Sequence, residues 1–203
     1  MTTHISAAAS NIDVVRIQEA VRAIIEAVGD DPEREGLQET PRRIADMYAD
    51  IFSGLTVDAR QIMQVSFAEE EHDEMVVLRD IPFYSMCEHH LLPFHGIAHV
   101  GYLPEGRLVG ISKLARVVEI FARRLQLQEK MTSQIADALN EVLRPKGVAV
   151  VVEAAHQCMT TRGVHKSGVL MVTSRMLGEF RSNPSTRREF LNMIGTPAVR
   201  ESV

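Results

Sequence analysis

Cysteine is scarce in this chain of 203 residues, occurring only as Cys87 and Cys158. Two thiols in a reducing compartment are expected to be free or metal-bound rather than bridged. No apolar run approaches the ~20 residues that cross a bilayer. The opening stretch MTTHISAAASNIDVV lacks the charged region and continuous apolar segment of a signal peptide. A cytoplasmic protein without a membrane partner is therefore expected. Positive charge is not in excess: 22 Lys and Arg stand against 27 Asp and Glu, a formal net charge of -5. General nucleic-acid binding is not expected from that balance, although a local basic pocket for an anionic small molecule is compatible with it. Internal repeats and low-complexity segments are also missing. What is present is 45% hydrophobic residues, enough for a sizeable core in one domain or a core with an appendage.

Residues 1–10 are small and polar and read as a flexible tail. Residues 11–55 read as an N-terminal helical region. Asn11 caps a first helix with an apolar face of Ile12, Val15, Ile17, Val21, Ile24, Ile25 and Val28, and Gly29 ends it. Thr40 followed by Pro41 marks the start of a second helix, which stops at Ser53-Gly54. Residues 56–203 read as a second domain of strands and helices. EMVVLRD, GIAHVGYL, RLVGIS, VAVVVEAA and about 169–174 have strand composition, with Leu103–Arg107 as a hairpin turn. Residues 113–124 and about 129–144 follow helical spacing. A short helix near 186–194 has Thr186 and Glu189 at capping-box spacing. This order predicts an α+β fold with an antiparallel sheet and helices on one face.

The stretch FYSMCEHHLLPFHG crowds Cys87, Glu88, His89, His90 and His95 into a few residues of a chain with eight histidines. The other cysteine lies in EAAHQCMTTRG, two positions after His156. Cys87, His90 and Cys158 would form a Cys-His-Cys set suited to zinc. Three protein ligands leave a position for water, whose pKa a bound zinc lowers to roughly 7. His89 and His156 would flank that site as acid–base groups. The competing reading is two buried thiols with surface histidines.

A second constellation is basic. Ser112, Lys113 and Arg116 begin a helix, where backbone donors favour anions, and Lys113 and Arg116 share a face. Arg162 and Arg43 add cations. The plainer reading is a solvated basic face. Glu129 is either a helix-start carboxylate, with Lys130 as a surface partner, or an acceptor for two N–H groups of a guanine edge.

CEHHLLPFHG, GISKLARVVEIFARR, LQLQEKMTSQIADAL, EAAHQCMTTRG and TSRMLGEF, with ETPRRIADMYADIFSGL upstream, together resemble the GTP cyclohydrolase I family from about residue 14 to 194. The resemblance implies the tunnelling fold, an antiparallel four-stranded sheet with helices on one face whose copies join into a barrel. It implies a homodecamer with active sites between subunits. The implied activity is conversion of GTP to 7,8-dihydroneopterin triphosphate with release of formate, the first step of folate or pterin biosynthesis. By the same resemblance Cys87, His90 and Cys158 match zinc ligands, and His89, His156 and Ser112 match catalytic residues. Lys113, Arg116 and Arg162 match triphosphate or ribose contacts, Arg43 matches a phosphate contact from a neighbouring subunit, and Gln128 and Glu129 match the guanine end. Leu125, Val169 and Met171 depart from the family pattern, in which proline, serine and threonine are usual. A relative acting on another purine or pterin, or a catalytically silent copy, would be expected to lack part of this set.

Overall fold

The computed structural model describes residues 12–63, 66–67 and 72–195. The chain divides into two compact units, Met1–Val57 and Asp58–Val203. The first is helical. Helices α1 (Val14–Ala27) and α2 (Thr40–Ile51) pack together, and a short 3₁₀ turn, Ser53–Thr56, follows. The expected cap Asn11 lies outside the described residues. Asp13 caps α1 instead, its side chain accepting from the Arg16 N–H at 3.0 Å. Of the expected apolar face, Val21 and Ile25 are buried while Ile24 and Val28 are exposed. Thr40 is the first helical residue of α2 rather than its cap, with Pro41 next.

The second unit is α+β. It contains α3 (Ala59–Met63), β1 (Ser66–Phe67), β2 (Val76–Cys87), β3 (Pro93–Leu103), β4 (Leu108–Val109) and α4 (Ile111–Ala122). These are followed by β5 (Leu125–Gln126), α5 (Gln128–Leu143), β6 (Gly147–His156) and α6 (Gln157–Thr160). Strand β7 (Met171–Gly178) and helices α7 (Glu179–Ser182) and α8 (Pro184–Gly195) complete it. The main sheet has five strands in the order β5-β2-β3-β6-β7. Four of them pair antiparallel, but β5 pairs parallel with the end of β2, so the sheet is mixed rather than purely antiparallel and four-stranded. Strand β3 brings the chain back to the start of β2, and α4 then runs beside β2 to its end, so β5 enters parallel to it. The turn at 103–107 does not close a hairpin either: β4 pairs with β1, not β3.

Helices cover both faces of the sheet, not one. Residues paired across strands share a face. On one side Thr173 bonds Thr132, and Arg175 pairs with Asp137, both on α5. On the other, Ala149, Val151 and Met176 pack with Phe180 of α7 and Phe190 of α8. Strand β6 is accordingly buried on both faces over Gly147–Val152, which explains its near-continuous run of valine and alanine.

One irregularity sets the phase of β2. The register shifts between Leu78 and Ile81, with Arg79 and Asp80 together opposing His99 and Asp80 at φ 58°. Side chains alternate faces along a strand, so one extra residue flips everything beyond it. The bulge therefore puts Ile81, Phe83, Ser85 and Cys87 on the face that carries Phe94 and His156.

Candidate metal centre and its surroundings

Cys87 is the last residue of β2 and is buried. Its N–H donates to the Leu92 carbonyl at 2.9 Å, and its own carbonyl accepts from the Leu91 N–H at 3.0 Å. Leu91 takes a left-handed conformation, φ 51°, to close this tight connection to β3. His89 and His90 are thereby carried on an exposed turn, their rings edge to face with centroids 6.1 Å apart. Strand β6 ends at His156, and α6 begins at once, placing Cys158 on its first turn. Because β6 lies beside β3, both segments meet at one end of the sheet. The ligand atoms of Cys87, His90 and Cys158 all lie within 4.8 Å of one another. They are the one such His/Cys/Asp/Glu group among the described residues.

The surroundings suit a cation. Burial, and then the neighbouring Cys87, push the Cys158 thiol above its usual range. Two adjacent sulfurs resist ionising together unless a positive charge compensates them. Arg162 donates from its guanidinium to His90 Nε2. Glu88 pairs with Lys130 at 3.6 Å, so Lys130 partners Glu88 rather than Glu129. Glu129 is exposed on the first turn of α5, close enough to oppose the lowering of the His156 pKa that burial causes.

His156 is held by two contacts that spacing did not indicate. Its ring lies flat on Phe94, centroids 4.5 Å apart and planes 3° from parallel. Its Nε2 is 2.7 Å from Gln128 Oε1. Gln128 is only 1% exposed, and its Nε2 donates to the carbonyls of Val152 and Met171 at 3.0 and 2.9 Å. The family match to guanine recognition therefore falls on a side chain whose polar atoms are engaged inside the chain. Met171, a departure from the family pattern, contributes here through its backbone carbonyl; Val169 is exposed.

The remaining candidates do not join the cluster. Ser112, Lys113 and Arg116 occupy the start of α4. That start follows β3 and β4, whereas the end of α4 leads into β5, which pairs with Met86 and Cys87. The 12-residue helix spans about 18 Å, so Ser112 and Lys113, on its first turn, lie toward the opposite end of the sheet from Cys87, and Arg116 lies about midway. Arg43 is exposed on α2, in the other unit. The buried Phe94 and Thr132 and the half-buried Thr173 support the site and went unnoticed in the sequence. Only Thr132, one turn after Gln128, had a local signal.

A family model described as GTP cyclohydrolase I matches residues 17–195. Among curated relatives, GTP cyclohydrolase 1 of Dehalococcoides mccartyi is 55% identical over 184 residues, 90% of this chain and 97% of its own. The protein of that name from Thermoanaerobacter pseudethanolicus is 54% identical over 186 residues, 91% and 98% of the two chains. That from Carboxydothermus hydrogenoformans is 56% identical over 185, covering 91% and 96%.

Proposed function

The chain belongs to the GTP cyclohydrolase I family, and on that premise we propose that it converts GTP to 7,8-dihydroneopterin triphosphate with release of formate, feeding folate or pterin synthesis. The observation that carries this reading is the convergence of the Cys87, His90 and Cys158 ligand atoms within 4.8 Å, with His156 and Glu129 alongside. Two thiols and an imidazole fit a zinc site with one position open. Zinc held there would supply Lewis-acid activation of water.

The chain's own residues do the rest. His89, exposed beside His90, is placed to protonate the imidazole nitrogen of the purine. His156 protonates the ribose ring oxygen, with Ser112 assisting proton movement; each such group is typically worth about 10²–10⁴ in rate. Glu129 accepts from the guanine N1–H and 2-amino group. Adenine lacks those donors, and a site built on such bonds discriminates strongly. Arg162 takes a phosphate beside the cluster, and Lys113, Arg116 and Arg43 take others.

The far placement of Ser112 and Lys113 supports a site completed by a second copy. A homodecamer of tunnelling-fold chains, with active sites at subunit interfaces, would supply that copy. The β7 edge, exposed Val172 included, is open for pairing. Among the described residues no helix is long and apolar enough to cross a membrane.

The test is incubation of the zinc-loaded chain with GTP or ATP, following formate and the ultraviolet spectrum of the pterin. Formate and pterin should rise together with GTP and not with ATP. Absence of formate release would sink the reading.

A further inference from the structure

The Gln128 amide has one possible orientation. Its nitrogen end faces two carbonyl oxygens, of Val152 and Met171, which can only accept. The NH₂ group must therefore be there, and the amide oxygen must face His156. An amide oxygen only accepts, so His156 Nε2 must carry the hydrogen. The rest of the network agrees. Thr132 Oγ1 donates to the Gln128 backbone carbonyl at 2.7 Å, so it accepts from Thr173 Oγ1, also at 2.7 Å. Thr173 then turns a lone pair toward Gln128 Nε2, 3.2 Å away. Phe94 fixes the plane of the His156 ring, and Gln128 fixes its rotation within that plane. A half-turn of the ring would set a carbon against the amide oxygen and leave that buried acceptor unpaired.

We propose that Gln128 is a positioning residue for His156, its amide oxygen fixing the orientation of the imidazole that Phe94 holds flat. The proposal rests on the function argued above for its catalytic part; the ring geometry stands apart from it. It separates Gln128 from Glu129. Glu129 is exposed and reads the base, whereas Gln128 acts through the histidine.

The experiment uses the zinc-loaded oligomer with Gln128→Met, which keeps length and removes the polar atoms. GTP Kd should stay within about twofold of the parent while kcat falls by about tenfold or more, the scale expected for a displaced catalytic group. In a His156→Ala background, Gln128→Met should cost nothing further in kcat, because contacting residues that act as one unit are non-additive. A Gln128→Met variant that loses GTP affinity but keeps kcat would overturn the proposal in favour of a guanine contact. Full, independent losses in the His156→Ala background would overturn it in favour of a merely structural role. Should the methionine variant fail to fold, Gln128→Leu, which also removes the oxygen that faces the ring, enters the same cycle under the same criteria. If the parent chain itself does not turn over GTP, the function reading has failed, and crystal structures of parent and variant decide the rest. An imidazole still flat on Phe94 and unrotated in Gln128→Met overturns the positioning role, and a displaced ring supports it.

Discussion

Burial first, and the neighbouring Cys87 second, hold the Cys158 thiol above its ordinary range. Side by side without a cation, the two sulfurs oppose each other's ionisation; a soft dication makes both thiolates favourable. One zinc per chain is expected in the parent, and Cys158→Ser should lose both the metal and GTP turnover. Metal analysis of the purified variant checks this, and full zinc content would remove Cys158 from the ligand set. His99 presents the opposite case of a buried base. It is 3% exposed, and its Nδ1 accepts from the Asp80 N–H at 3.2 Å. Burial lowers its pKa, with Asp80 opposing. The folded chain thus binds this proton less readily than the unfolded chain does. The resulting stability is present above the unfolded value of about 6.5 and is lost as pH falls through the lowered folded value. The thermal midpoint should drop between pH 8 and pH 5, and His99→Gln should flatten that drop. An equally steep pH dependence in the variant would assign it to other groups.

At the scale of elements, helix α8 shows how a good local signal names the wrong residue. Thr186 and Glu189 have capping-box spacing, yet the helix begins at Pro184, and Asn183 does the capping. The Asn183 side-chain oxygen accepts from the Ser185 N–H at 2.9 Å and the Thr186 N–H at 3.5 Å. Proline as the first helical residue fixes the start three positions earlier than the threonine pattern suggests. The helix matters because it carries Phe190, fully buried against Ala149 and Phe180. Asn183→Ala should cost about 1 kcal/mol, the usual loss for a cap, while Thr186→Ala costs much less. Chemical denaturation of the two variants settles the order, and the reverse ranking would restore the capping box. The two-residue strands β4 and β5 carry no readable periodicity, which is why RLVGIS read as one strand and β5 was not anticipated.

At the scale of the whole molecule, the start of α4 lies apart from the Cys-His-Cys cluster. Cys87, His90, Cys158, His156, Arg162 and Glu129 gather at one end of the sheet, and Ser112 and Lys113 sit toward the other. The proposed ring completes the site only if each interface brings the second group of one copy to the first group of the next. Cys158→Ser and Lys113→Ala should each abolish or cripple turnover alone. Co-assembled in one oligomer they should recover activity, because some interfaces then combine an intact metal cluster with an intact α4 start. Activity of the mixed assembly no greater than that of the separate variants, with mixing shown by mass spectrometry, would mean that each site is built from one chain.

The Cys87, His90 and Cys158 cluster was legible in the sequence, because scarcity and short spacing are local properties: Cys-x-x-His in a tight turn, and a lone second cysteine just past His156. The helices α4 and α5 were legible for the same reason, since their apolar residues repeat within a few positions. The tertiary structure alone decided which face Cys87 occupies. One extra residue at Arg79–Asp80 reverses the alternation of β2 beyond it, and composition carries no mark of that shift. It alone decided that Gln128 turns inward, because its partners Val152, Met171 and His156 lie 24 to 43 residues away in sequence. It also separated Lys113 and Arg116 from Arg162, three cations that the sequence offers as one pocket. Local spacing determines which groups share a turn, but strand order and register, set by burial over the whole sheet, determine which turns share a site.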